Sequence, residues 1–210
     1  MSSLYGSGDV RFFDRIARLY DVAMPSARVG PLLSGLEYAR RPVERVLDVA
    51  GGTGRATRAL SREGPEPVVV DFSAGMLARA RADGREGVRA DAGTLPVRDG
   101  AVDAVVVVDA LHHLPDPKRA IAEAARVLAP GGVLVVQEFH PTTTLGRGLV
   151  LAESAVGFDS TFWTPAELCE MFGQAGLRTR IVRDGFEYVV AGRRPEDVPV
   201  ASDERKRERH

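Results

Sequence analysis

Asp48-Val49-Ala50-Gly51-Gly52-Thr53-Gly54 gathers a carboxylate, a hydroxyl and three glycines into seven residues. Glycine tolerates positive φ and has no Cβ, so the turn is sharp and a ligand can approach its backbone closely. Asp48 stands where it can point into the same crevice. Asp71, about one βαβ step further on, is a second carboxylate, suited to ribose hydroxyls. His112, His113 and His140 supply imidazoles, whose unperturbed pKa suits a general base near neutrality. A nucleotide-like cofactor with acid–base groups beside it is the chemistry this set could perform.

Such groups converge only if the chain between them alternates strand and helix. Arg45 to Val49 reads as a buried strand and Arg55 to Arg62 as helix. Val68 to Asp71 is a second strand. Ser73 is a good N-cap for a helix over Ala74 to Ala82, with Met76 near its start, where a thioether can pack on a nucleoside face. Val88 to Ala90 is a short third strand that runs into Asp91-Ala92. Ala101 to Val108 is the fourth, and its run of four valines predicts burial on both faces, as in a parallel sheet covered on each side. Asp109 to Pro115 follows, carrying His112 and His113. Asp116 and Pro117 then open a helix to Leu128, and Ala129-Pro130-Gly131-Gly132 is the turn out. Val133 to Glu138 is the fifth strand.

Phe139 to Phe162 reads as the longest irregular segment, and loops that long tend to be functional. It opens on His140, and Pro141 biases that residue to an extended backbone. Thr164-Pro165-Ala166-Glu167 is a capping box for a helix ending near Gly176. Cys169 within it reads as a buried structural thiol. Arg178 to Val182 and Phe186 to Ala191 form a closing strand pair joined through Asp184-Gly185. The predicted fold is α/β: a Rossmann-like, doubly wound, mostly parallel sheet with helices on both faces and an antiparallel C-terminal strand pair. Residues 1–8 are expected to be disordered. A single domain is expected over 9–192, with a helical cap over 9–41, and a charged tail over 193–210.

The cofactor follows from the turn. The nicotinamide fingerprint needs a third small residue where Thr57 stands. Asp48-x-Ala50-x-Gly52-x-Gly54 resembles instead the D-x-G-x-G-x-G turn of class I S-adenosylmethionine-dependent methyltransferases, with Ala50 in place of the first glycine. Ala50 to Gly54 is similar to the ubiquinone/menaquinone-biosynthesis methyltransferases. So is Phe13 to Asp21, which matches F-D-x-I-A-x-x-Y-D, and so are Arg89 to Pro96 and Leu128-x-Pro130-Gly131-Gly132. The resemblance covers roughly residues 9–140. It implies S-adenosylmethionine as cofactor, held by Tyr20, Asp48, Ala50, Gly51, Gly52, Gly54, Asp71, Phe72, Met76, Asp91, Ala92 and Asp109. It further implies a small, apolar methyl acceptor such as a demethylated quinone. His113, His140 and His112 are the candidate bases, His140 and His113 ranking first. The His-His-Leu-Pro segment is widespread among methyltransferases of other small molecules, so an O or N acceptor of another kind is the alternative.

Composition excludes other classes. Net charge is −1, which supplies no field for nucleic acid. The 28 basic residues are all arginine apart from Lys118 and Lys206, and neither lysine has a Tyr four residues before it, as a Tyr-x-x-x-Lys oxidoreductase would need. One cysteine permits neither an intrachain disulfide nor a cysteine-based zinc site, and no histidine–cysteine metal cluster is present. The opening residues lack a signal peptide, and no apolar run approaches the ~20 residues needed to span a bilayer. A cytoplasmic protein is expected, touching a membrane surface transiently if its acceptor is a lipid quinone. A cofactor-binding domain without catalysis is a further reading, since the same pocket serves either role.

Overall fold

In the computed structural model, residues 29–156 and 160–196 are described. The predicted N-terminal helix with Tyr20, the disordered start and most of the charged tail lie outside them. The described chain forms helices α1 (Val29–Leu36), α2 (Arg55–Leu60), α3 (Ala74–Ala82), α4 (Pro117–Val127), α5 (Thr144–Val156) and α6 (Pro165–Gln174). The strands are β1 (Val46–Val49), β2 (Val68–Asp71), β3 (Gly87–Arg89), β4 (Val102–Val108), β5 (Leu128–Phe139), β6 (Arg178–Arg183) and β7 (Glu187–Arg193).

They build one seven-stranded sheet in the order β3-β2-β1-β4-β5-β7-β6. The first five strands are parallel, while β7 runs antiparallel to both β5 and β6. The strand order reverses between β1 and β4, and a ligand crevice belongs outside the carboxyl ends there. Asp103 helps to fix that junction. Its carboxylate accepts from the backbone N–H of Glu44 and of Arg45 and pairs with the guanidinium of Arg45, tying the start of β1 to β4. Burial alone would raise its pKa, but these donors outweigh it and hold the carboxyl at about 2.

The valine run of β4 is buried along its whole length, as its sequence predicts. Val105 and Val107 face the core layer that contains α4 and α6, and Ala104, Val106 and Val108 face the layer under α1. Packing under α1 is close: a Cβ on Gly35 would meet Val135 Cγ1 at 2.6 Å.

Two expectations fail. The segment from Phe139 to Phe162 is not irregular throughout, because α5 occupies thirteen of its residues. Gly146 and Gly148 lower helix propensity and hide the pattern. Gly146 is nevertheless required, since a Cβ there would strike the His140 carbonyl oxygen, and the Thr143 hydroxyl accepts from its N–H. Ala129 to Gly132 is likewise no simple turn. It lies inside β5, which starts at Leu128 and shifts register against β4 between Val102 and Ala104. Gly131 at φ +77° makes that irregularity tolerable. At the other end, Arg193 belongs to β7, and the Arg194 guanidinium bonds the carbonyl oxygens of Arg126 and Leu128.

Candidate cofactor and methyl-transfer site

One cleft opens at the carboxyl ends of β1, β2 and β4. Of the residues predicted for the site, Asp48, Ala50, Gly51, Gly52, Asp71, Phe72, Met76, Ala92, Asp109 and His113 line it. Gly54, Asp91, His112 and His140 do not. Gly54 instead caps α2 at φ +80°. Asp91 closes a local turn by accepting from the N–H of Gly93.

The floor of the cleft is the glycine turn. Gly52 sits at φ +58°, and a Cβ on it would approach only Met76 Sδ, at 3.9 Å, so the space above it is open. Its N–H donates to Asp71 Oδ2 at 2.8 Å, while Asp71 Oδ1 accepts from Ser73 N at the same distance. Asp71 therefore both presents a carboxylate to the cleft and fixes the turn to the start of α3. Ala50, the departure from the glycine pattern, lies at φ +54°. A side chain in the left-handed region costs about 1–2 kcal/mol. Ala50→Gly should accordingly raise the unfolding midpoint, by roughly 1 kcal/mol of stability in denaturant titrations. No gain would mean that the Ala50 methyl recovers the strain through packing.

Asp48 is fully buried. Its Oδ2 accepts from the backbone N–H and the hydroxyl of Thr57, at 3.0 and 2.8 Å. Its Oδ1 has no hydrogen-bond partner among the described residues. Asp109 repeats this pattern at the end of β4. It lies at φ +50°, its Oδ2 is 3.1 Å from Arg55 Nη2, and its Oδ1 is buried without a partner. Burial pushes both carboxyls up to about 6. At Asp48 the Thr57 donors oppose this, and at Asp109 the neighbouring Glu138 adds to it while Arg55 opposes. Two buried carboxylate oxygens beside an open glycine turn call for a cationic ligand group.

These carboxyls also set a pH dependence. Their folded pKa values lie above the unfolded ones, so the native state holds more protons between about pH 4 and 6. Stability from these groups is then lost as pH rises through that window, on the order of 2–3 kcal/mol each. Asp48→Asn should be more stable relative to the parent at about pH 7.5 than at about pH 4.5 in urea titrations. An equal difference at both pH values would show that Asp48 ionises normally in the fold.

The histidines separate into different environments. His112 is buried, with its Nδ1 2.7 Å from Glu138 Oε2. Glu138 Oε1 accepts from Leu111 N and His112 N, so the carboxylate at the end of β5 holds the short 3-10 turn Leu111–His113 in place. A carboxylate can only accept, which puts the proton of neutral His112 on Nδ1 and a lone pair on Nε2. The His112 ring stacks on Phe162, with centroids 4.5 Å apart, and meets His113 at 4.0 Å. His113 faces the cleft and lies 3.2 Å from Ser160 Oγ through Nδ1. Burial and the charge of His112 drive its pKa down to about 3, so it stays neutral. His140 lies just beyond β5: its N–H donates to the Phe186 carbonyl, and its ring packs edge-on to Tyr188.

Sequence reasoning passed over Arg55 and Glu138. Arg55 occupies the unspecified position after Gly54, where no residue type signals a role. Glu138 was visible only as a strand end, because its partner lies 26 residues away and meets it through β4–β5 pairing.

The comparisons agree with this architecture. Residues 47–136 match the methyltransferase domain family. A demethylmenaquinone methyltransferase of Mycolicibacterium vanbaalenii is 38% identical over 194 residues, which covers 84% of this chain and 85% of that protein. One of Renibacterium salmoninarum is 37% identical over 144 residues, covering 61% of each chain. The chain thus spans about three fifths of the length of the latter relative. A solved S-adenosylmethionine-dependent methyltransferase of Thermotoga maritima shares the fold at a TM-score of 0.70 and 24% identity, over 88% of this chain and 99% of that one. The chain belongs to the S-adenosylmethionine-dependent methyltransferase family that includes the demethylmenaquinone methyltransferases.

Proposed function

We propose that the chain transfers the methyl group of S-adenosylmethionine to a small, apolar acceptor, the leading candidate being the ring carbon of a demethylated quinone in its hydroquinone form. The observation that carries the cofactor half is the pair of buried, unpartnered carboxylate oxygens, on Asp48 and Asp109, beside the open space over Gly52. The acceptor half rests on similarity to the Mycolicibacterium vanbaalenii protein across most of both chains.

When bound, S-adenosylmethionine supplies a methyl group already activated by the positive charge on sulfur. The chain's task is alignment and exclusion of water. Asp71 would accept from the ribose hydroxyls, with Phe72 and Met76 against the nucleoside. Ala92 and Asp91 would stand near the adenine edge. Tyr20, which the resemblance assigns to the cofactor, lies outside the described residues. His113, which lines the cleft, would be the residue to accept a hydroxyl proton, with buried His112 and Glu138 behind it holding the 3-10 turn in place. Deprotonating a hydroquinone raises electron density at the ring carbon that takes the methyl, and the hydrogen displaced there leaves as the product proton.

Among the described residues no helix is long and apolar enough to cross a membrane. A lipid quinone would be met at a membrane surface. Incubation with labelled S-adenosylmethionine and reduced demethylmenaquinone in detergent should yield a labelled quinone. Label transfer to other phenols but not to the quinone would redirect the acceptor to a different small molecule.

A further inference from the structure

The 3-10 turn that carries His113 is covered by a segment distant in sequence. Residues 160–162 meet it through three consecutive contacts. Ser160 Oγ is 3.2 Å from Nδ1 of His113, a residue 47 positions earlier in the chain. The Thr161 N–H donates to the His112 carbonyl oxygen at 3.1 Å. The Phe162 ring stacks on that of His112, with the planes 17° apart. Just beyond, the segment is tied down twice. The hydroxyl of fully buried Tyr188, on β7, donates to the Trp163 carbonyl oxygen at 2.9 Å, and Thr164 opens α6 with a complete capping box. These anchors hold Ser160 against the imidazole that faces the cleft.

Because Nδ1 is given to Ser160, a proton taken from an acceptor must arrive at Nε2. That requires a lone pair on Nε2, and hence the neutral tautomer protonated at Nδ1. A hydroxyl has two lone pairs and a proton that can turn aside, so Ser160 can receive the Nδ1–H. We infer that Ser160 is a positioning residue for His113: its oxygen receives the Nδ1–H, fixes the ring with Nε2 as the basic nitrogen, and keeps this bond when the ring becomes imidazolium. Burial and the charge of His112 work against the protonated ring. A hydrogen bond made to the charged form offsets part of that penalty. In the step itself the acceptor O–H bond breaks and an Nε2–H bond forms, while the freed electron pair drives the ring carbon onto the methyl group. The ring hydrogen then leaves as the product proton, and the Nε2 proton returns to the oxygen. The inference rests on the reading of His113 as proton acceptor given above.

Two readouts on the full chain test it. Nitrogen NMR of the imidazoles should show His113 as the Nδ1–H tautomer in the unmutated chain and as a mixture of tautomers in Ser160→Ala. The Nε2–H tautomer in the unmutated chain would overturn the inference, because Ser160 would then be the donor. In turnover of labelled S-adenosylmethionine with reduced demethylmenaquinone, Ser160→Ala should lower kcat about 10- to 100-fold, the size of a hydrogen bond to a charged group, with KM for both substrates within about twofold. Ser160→Thr keeps the hydroxyl and should recover most of the rate. Adding Ser160→Ala to His113→Gln should cost nothing further, since the two act as one unit. A further loss in the double variant, or no recovery in Ser160→Thr, would overturn the inference. An unchanged kcat in Ser160→Ala beside a slow His113→Gln would overturn it too, and would leave His113 as the proton acceptor. A wild-type rate in His113→Gln would instead end the proton-acceptor reading, and the role of Ser160 with it.

Discussion

Gly52→Val should abolish binding of S-adenosylmethionine while the chain stays folded. The added Cβ is tolerated locally, since its nearest neighbour would be Met76 Sδ at 3.9 Å. The valine methyls beyond it project into the space over the turn, where the ligand must lie. The Gly52 N–H bond to Asp71 is made by the backbone and can persist. A β-branched residue at φ +58° carries strain of about 1–2 kcal/mol, enough to lower the melting temperature by several degrees in a chain of this size. Near-native circular dichroism with no calorimetric response is the expected pair of results. Gly51→Ala makes the contrast: its Cβ would sit 2.6 Å from Asp48 Cγ, so that variant should damage the turn itself. Retained binding in Gly52→Val would move the cofactor off the turn, and global unfolding would make the turn structural alone.

His113→Gln should lower kcat about 10²–10⁴-fold with cofactor affinity kept, the range for removing a general base. Glu138→Gln should act in the same direction but less strongly. Its amide oxygen can still accept from Leu111 N, but it weakens the contacts that tie His112 Nδ1 and the 3-10 turn carrying His113 to the end of β5. Wild-type rates in both variants would mean that alignment alone drives the reaction. A loss in Glu138→Gln with His113→Gln unchanged would move the proton acceptor away from the residue that faces the cleft.

Much of this was legible in the sequence, for reasons that lie in particular residues. The valine run of β4 can only be a doubly covered strand, and Asp48 to Gly54 can only be a sharp turn at a strand end. Those two features, with the spacing to Asp71, locate the cleft. The surroundings of the candidate bases were less legible, because their contacts depend on strand pairing. Nothing in the order of residues says that Glu138 meets His112 or that Arg55 reaches Asp109. The ranking of His140 shows the same dependence. Its place at the end of β5 makes it a candidate base, but its ring packs edge-on to Tyr188 and it is not among the residues that line the cleft. Helix α5 was hidden by Gly146 and Gly148; Gly146 reflects a tight contact under the His140 carbonyl rather than a loop, while a Cβ on Gly148 would meet open space.

Calorimetry with S-adenosylmethionine and S-adenosylhomocysteine tests the central claim most directly. Saturable binding of both at micromolar concentrations, weakening as pH falls through about 6 where Asp48 and Asp109 take up protons, is the predicted result. No binding of either ligand at any pH where the chain is folded would contradict the account.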